Sequence, residues 1–503
     1  MTGMTTAPGS LILDHVSFRY ARTCEDSGLD ATPNPEDPIE DPMDITDLCL
    51  HVRPGETVLL CGESGCGKTT VTRLANGLIP HYHPGRLTGG VIVDGIDVPR
   101  TTIDALAGHV GSVFSNPHTR FFATRVDDEL AFPCENMAIA PDEILRRMDG
   151  TMRDFAIAEL ADRNIDHLSG GQQQRVACAS ASMTDPAILV LDEPTSNLDV
   201  PSIARLRRSL LTWRRQGRTI LIAEHRLAWL AGIVDRAVVL HRGRVHREMS
   251  GEELRALGPE ERHALGRRAT SIRKTSDARA ELPAHAERPS CAEEPSWTVS
   301  GVRRRYRGDT RPALDIPELR IPDSRTTIIV GDNGAGKSTF LRWMQGLDRH
   351  ASGTLTSPAG DTLSRRERLR RCFTVMQDVT QELFTPRVIE EVAASQPTED
   401  PDEAMRILAD LDLSDLADRH PLSLSGGQRQ RVAVAAAIAS NRPIIMFDEP
   451  SSGLDHRHML QVADQLRLLA SRGRTVIVVT HDPDLASLAG DNMVELDAGR
   501  IGG

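Results

Sequence analysis

Four short motifs occur twice in this chain of 503 residues, and each second copy follows its first at the same distance. Ser169-Gly170-Gly171-Gln172 returns as Ser425-Gly426-Gly427-Gln428, Asp192-Glu193-Pro194 as Asp448-Glu449-Pro450, Asp199 as Asp455, and His225 as His481. Every offset is 256 residues (425 − 169, 449 − 193, 455 − 199, 481 − 225). One shared offset is the mark of a duplicated unit, so the chain must be read as one fold built twice.

A fifth repeat lies upstream. Gly62, Glu63, Ser64, Gly65, Cys66, Gly67, Lys68 and Thr69 match Gly331, Asp332, Asn333, Gly334, Ala335, Gly336, Lys337 and Ser338. Both fit G-x-x-x-x-G-K-[ST], a loop whose backbone N–H groups cradle nucleotide phosphates. The two lysines are 269 residues apart (337 − 68), so the first copy carries 13 more residues before its Ser-Gly-Gly-Gln (269 − 256). Of the 59 basic residues only Lys68, Lys274 and Lys337 are lysines. An ammonium is a compact charge that enters a ring of backbone amides, where a planar guanidinium does not fit. Two nucleoside triphosphates are therefore expected, with Thr70 and Thr339 continuing the two sites.

Each copy reads as α/β. Val58-Leu59-Leu60 and Ile328-Ile329-Val330 are apolar runs that suit buried parallel strands feeding the loops. The runs 187–191 and 443–447 end in carboxylates, and the runs 219–223 and 475–479 end near a histidine. The C-terminal edges of such strands are where open α/β sheets hold ligands. Residues 10–248 and 297–503 are read as the two domains. Residues 23–44, acidic and proline-rich without a basic residue, read as a solvated insertion. Residues 249–296, Arg/Glu/Ala-rich, read chiefly as a tether, with helix expected at 252–257 and 260–267.

Composition is globular, with 39% hydrophobic and 26% charged residues, and the net charge of −12 weighs against a nucleic-acid partner. No run approaches the roughly 18 apolar residues of a membrane span. The N-terminus lacks the basic and apolar regions of a signal peptide. The cysteines at 24, 49, 61, 66, 134, 178, 291 and 372 have no zinc spacing and read as reduced, buried thiols.

The chemistry then divides by residue type. Thr69 and Ser338 offer hydroxyls, and Asp192 and Asp448 carboxylates, to a Mg²⁺ ion. Glu193 and Glu449 suit orienting or deprotonating an attacking water, which is what phosphoryl transfer asks of a protein beyond charge neutralisation. His225 and His481, each 32 residues after its glutamate (225 − 193, 481 − 449), suit contact with a γ-phosphate.

In this order, phosphate loop, Leu-Ser-Gly-Gly-Gln, Asp-Glu-Pro, Asp, His, the chain resembles the ATP-binding-cassette ATPases. Leu168 to Arg175 and Leu424 to Arg431 resemble that family's signature. The resemblance implies two P-loop NTPase domains, each with a RecA-like α/β core, an antiparallel β subdomain and an α-helical signature subdomain. It implies a head-to-tail pair of cassettes within one chain, in which Lys68, Glu193 and His225 work with Ser425 to Gln428. Lys337, Glu449 and His481 then work with Ser169 to Gln172. It also implies that Tyr20 and Tyr306 stack on adenine. A family glutamine that touches Mg²⁺ or water is matched by Gln377, whereas the first copy has Ser115 there, beside Asn116. Serine is too short to span that distance directly, so either a water substitutes, Asn116 shifts in, or the first site turns over slowly; unequal sites are the favoured reading.

The stretch Val113 to Phe122, with Asp127, Ala131-Phe132 and Glu135-Asn136, resembles cassettes of the energy-coupling-factor importers of vitamins and trace metals. Gln381 to Phe384 and Glu390 to Val392 echo it. That resemblance implies a transmembrane coupling protein and a substrate-capturing membrane protein as partners, at the cytoplasmic face of the membrane. Sugar or peptide importers, and soluble cassette proteins acting on ribosomes or DNA, are the alternatives.

Overall fold

The computed structural model describes residues 7–21, 44–114, 121–196, 198–258, 261, 294–307, 311–376, 379, 382–424, 426–451, 454 and 456–502. Apart from Asp44, the acidic insertion lies outside them, as do Ser115, Asn116, Gln377, Ser425 and Asp455. The chain divides into two units, Met1–Ile272 and Arg273–Gly503.

In the first unit a six-stranded sheet runs in the order Arg244–Ser250, Arg236–His241, Thr57–Cys61, Thr219–Ala223, Ile188–Asp192, Val110–Val113. All neighbours are parallel except the outermost pair, where Arg244–Ser250 runs back against Arg236–His241. Thr57–Cys61 is buried at every position. Its side chains alternate between two cores: Val58 and Leu60 enter one, Leu59 and Cys61 the other. A central parallel strand covered on both faces has to be apolar throughout, which is why the run reads as it does.

One face of this sheet meets an antiparallel sheet, Ile45–Val52, Leu11–Tyr20, Gly85–Val93 and Ile96–Asp97. The other meets helices, among them Val126–Asn136, Gly170–Ser182 and Val200–Arg215. In the first strand of the antiparallel sheet, Leu13 pairs with Leu50 and Val16 with Leu48, so one extra residue is accommodated in a bulge.

The second unit repeats this plan. Its six strands run Cys372–Val375, Ile444–Asp448, Thr475–Val479, Thr326–Val330, Asn492–Asp497, Arg500–Ile501, with the last pair antiparallel. Its antiparallel sheet is Leu314–Pro322, Ser296–Arg304, Ser352–Thr356, Thr362–Leu363. Ile328 and Val330 enter one core and Ile329 another, the same alternation as in the first unit.

Two sequence expectations change. The first unit does not stop at residue 248. Met249 lies in the strand Arg244–Ser250, a capping box of Ser250 and Glu253 starts the helix Gly251–Ala256, and Leu254 and Leu257 are buried in the first core. The Arg/Glu-rich composition conceals this short apolar face. Among the cysteines, Cys61, Cys66, Cys134, Cys178 and Cys372 are buried as expected, but Cys49 is exposed, on the solvent side of its strand. Among the described residues, no helix is long and apolar enough to cross a membrane.

Because Leu59 fills the helical-side core at the centre of the sheet, Leu59→Ala is expected to cost the first unit about 2–5 kcal/mol. Urea titration read by hydrogen exchange in Thr57–Cys61 and Thr219–Ala223 checks it; a loss below about 1 kcal/mol would show that the core collapses to fill the gap.

Candidate functional site

Both phosphate loops leave the C-terminal end of a central strand and turn into a helix, Lys68–Ala75 in one unit and Lys337–Gln345 in the other. The turn requires glycine just before the lysine. Gly67 and Gly336 have φ of 105° and 100°, and a Cβ on Gly336 would sit 2.4 Å from the Ala313 carbonyl oxygen. The lysines then fold back over their loops. Lys68 Nζ donates to the carbonyls of Gly62 (3.1 Å) and Glu63 (2.9 Å), and Lys337 Nζ to those of Gly331 (2.7 Å) and Asp332 (3.1 Å). Both are buried cations whose oxygen partners are carbonyls, not carboxylates. Such a charge is stabilised further by an anion entering the loop at the helix N-terminus.

The neighbouring parallel strands deliver acids to the same edge. Thr69 Oγ1 donates to Asp192 Oδ1 at 3.2 Å, and in the second unit the Ser338 hydroxyl acts to lower the Asp448 carboxyl. A hydroxyl and a half-buried carboxylate side by side are the hard oxygen donors that suit Mg²⁺. Glu193 and Glu449 follow with φ of 47° and 52°, left-handed positions that a β-strand exit seldom gives a glutamate. Their backbone N–H groups are pinned to the Ala223 (2.9 Å) and Val479 (2.8 Å) carbonyls of the adjacent strand. Backbone strain of this kind persists only where the surroundings enforce it.

The histidines meet these glutamates. His225 Nε2 lies 3.2 Å from Glu193 Oε1, and His481 Nδ1 lies 2.9 Å from Glu449 Oε2. In the second unit the Thr480 hydroxyl also donates to Glu449 Oε2 at 3.2 Å. Burial raises both glutamates, but the histidine and lysine beside each outweigh it and hold the carboxyls below their ordinary value.

The other expected residues fall into place unevenly. Ser169 caps the helix Gly170–Ser182 in a box with Gln172, accepting from its N–H at 3.4 Å while Gln172 Oε1 accepts from the Ser169 N–H at 2.9 Å. Gly171 must be glycine, since a Cβ there would lie 2.0 Å from Ser202 Oγ. Asp199 caps the next helix by accepting from Ser202 N–H at 2.9 Å. The Tyr20 and Tyr306 hydroxyls lie 3.4 and 3.3 Å from the Thr70 and Thr339 hydroxyls, which brings both rings to their phosphate loops. The Arg304 guanidinium covers the Tyr306 ring at 4.2 Å.

Sequence reasoning missed two features. Glu129 and Glu391, 262 residues apart (391 − 129), are buried and accept from the N–H groups of Phe122 and Ala123 (2.9 and 3.0 Å) and of Phe384 and Thr385 (2.9 Å each). They shape loops whose phenylalanines stand out in solvent. Their shared offset was the available signal. The second is a pair of hydroxyl–carboxylate bridges beside the histidines, from Thr195 Oγ1 to Glu224 Oε2 (2.6 Å) and from Ser451 Oγ to Asp482 Oδ2 (2.8 Å).

Burial, followed by the charge of Glu193, pushes the Asp192 carboxyl up from 3.8 to about 6, and Asp448 is raised for the same reasons. A carboxyl raised in the folded state makes its charged form costly: the cost is absent below pH 3.8 and grows as pH rises through about 6. Asp192→Asn is therefore expected to stabilise the nucleotide-free chain above pH 6, by at most roughly 3 kcal/mol, with the gain vanishing near pH 4. Thermal unfolding of both proteins across that range tests the sign; a difference independent of pH contradicts it.

Comparison with known proteins agrees with this geometry. A family model described as "ABC transporter" matches residues 45–196 and again 314–452. A protein of Treponema denticola described as an ABC transporter ATP-binding protein is 37% identical over 493 residues, covering 98% of this chain and 96% of that one. One of Streptomyces coelicolor is 33% identical over 505 residues, covering 90% and 89%. Among solved structures, that of an RNase-L inhibitor is similar with a TM-score of 0.55 at 23% identity, over 91% of this chain and 87% of that one, a likeness of fold. Two matched phosphate loops, each facing its own acid pair and histidine, are thus accounted for: the chain belongs to the ABC transporter family, as an ATPase with two cassettes in tandem.

Proposed function

We propose that this ATPase powers an importer of the energy-coupling-factor type, taking up a vitamin or trace metal through a membrane partner. In this reading Glu193 and Glu449 hold the attacking water, and His225 and His481 bind the γ-phosphate. Lys68 and Lys337 neutralise phosphate charge. Thr69 with Asp192, and Ser338 with Asp448, hold Mg²⁺, which supplies charge neutralisation at the transferring phosphoryl group. Tyr20 and Tyr306 stack on adenine.

One observation carries the choice of partner. Phe122 and Phe384 are 76% and 82% exposed, at corresponding places (384 − 122 is again 262). Phe122 stacks on Phe132 at 4.9 Å, so its outward pose is supported from below. Aromatic side chains are enriched where proteins meet partners, and these two stand out at matching places on loops pinned by a buried carboxylate. They lie in the segments whose sequence resembles the importer cassettes at the place where a coupling protein docks. The net charge of −12 weighs against the ribosome or DNA alternative.

The native chain is expected to co-purify with membrane proteins. The double variant Phe122→Ser, Phe384→Ser is expected to leave the membrane fraction while the isolated chain keeps its ATPase rate within about two-fold. Retention of the double variant on membranes, or sedimentation of the native chain with ribosomes, would overturn this reading.

The two sites are further proposed to be unequal, because Ser115 stands where Gln377 stands in the second cassette. Glu449→Gln is expected to cost the assembled transporter more ATPase activity than Glu193→Gln; equal losses would contradict the asymmetry.

A further inference from the structure

The turn that presents the histidine is tied down in both units, by the same bond from different sequence positions. In the first unit the carboxylate precedes the histidine. Glu224 is 3% exposed; its Oε2 accepts from the Thr195 hydroxyl at 2.6 Å, and its Oε1 accepts from the N–H groups of His225 (2.8 Å) and Arg226 (3.0 Å). In the second unit Thr480 occupies that place and the carboxylate follows the histidine. Asp482 is 2% exposed; its Oδ2 accepts from the Ser451 hydroxyl at 2.8 Å and its Oδ1 from Asp484 N–H at 3.1 Å. Its own N–H donates to the Thr480 hydroxyl at 3.0 Å. Thr195 and Ser451 are equivalent, each two residues after its glutamate (195 − 193, 451 − 449), and both are buried.

Resting on the hydrolytic reading above, we propose that Glu224 and Asp482 are positioning residues for ATP hydrolysis. Each bridges the segment that carries the glutamate to the turn that carries the histidine, and so fixes the separation of the two groups. Burying a carboxylate is costly unless its oxygens are bonded, and both carboxylates meet that condition. An ordinary loop staple has no reason to be kept when its residue is lost. Here the sequence order is reversed, Glu-His-Arg against Thr-His-Asp, and yet the hydroxyl–carboxylate bridge remains. What is retained is the bond across the site, not the residue at a position.

The test uses the full chain in steady-state ATPase assays. Glu224→Ala with Asp482→Ala removes both bridges. It is expected to lower kcat at least about ten-fold with KM for ATP within about two-fold, since misplacement of reacting groups affects the chemical step. Glu224→Thr with Arg226→Asp rewrites the first turn in the order of the second and is expected to keep kcat within about three-fold of the native value. A native kcat in the double alanine variant, or a swapped chain as inactive as that variant, overturns the proposal. So does a kcat loss that only tracks the loss of folded protein in thermal unfolding. Should the double alanine variant fail to fold, Thr195→Val with Ser451→Ala removes the same bridges while the carboxylates keep their backbone bonds, and the same kcat criterion applies. If Glu193→Gln with Glu449→Gln leaves ATPase activity intact, the hydrolytic reading itself fails, which is a different outcome from failure of the bridges.

Discussion

A buried ammonium ringed by carbonyls is the constraint around which each unit is arranged. Lys68 and Lys337 are held by backbone oxygens of the loops they belong to, so their charge is solvated but not neutralised. The loop geometry that allows this depends on glycines at positive φ and on a strand buried on both faces immediately before it. The parallel register of the neighbouring strands then sets Asp192 beside Thr69 and Glu193 beside His225. Acids and cation are thus gathered at one sheet edge by hydrogen bonding far from the side chains themselves.

The electrostatic consequence is a site left out of balance on purpose. Asp192 is raised by burial and by Glu193, while Glu193 is held down by His225 and Lys68 in spite of its burial. Adjacent carboxyls are therefore pushed in opposite directions, one toward its protonated form and the other held ionised. The second unit repeats the directions at Asp448 and Glu449.

Much of this was legible in the sequence because the chemistry admits few substitutes. A lysine among 56 arginines (59 − 3), glycines at fixed spacing and paired acids at strand ends declare themselves without a structure. The apolar runs told where the central strands lie, since a strand covered on both sides has no polar alternation to hide it. What could not be read was conformation and partnership. No residue type signals the left-handed backbone of Glu193 and Glu449, because glutamate has no preference for it and the strand pairing imposes it. Glu129 and Glu391 look like surface acids until the loop that folds over them is seen. The helix Gly251–Ala256 was visible, but not that Leu254 and Leu257 would dock on the first core, since two leucines in a charged stretch do not announce a partner.

The reversed turns at the two histidines also bear on how duplicated proteins are compared. Aligned letter by letter, Glu224 faces Thr480 and Arg226 faces Asp482, and the pair of turns scores as divergence. Compared by bonds, the same two segments are joined by the same donor and acceptor types in both halves. The charge therefore stands on opposite sides of the histidine in the two halves while the mechanical linkage is the same. The halves are more alike as networks than as strings, and a search for lost function in either copy has to count linkages before it counts identities.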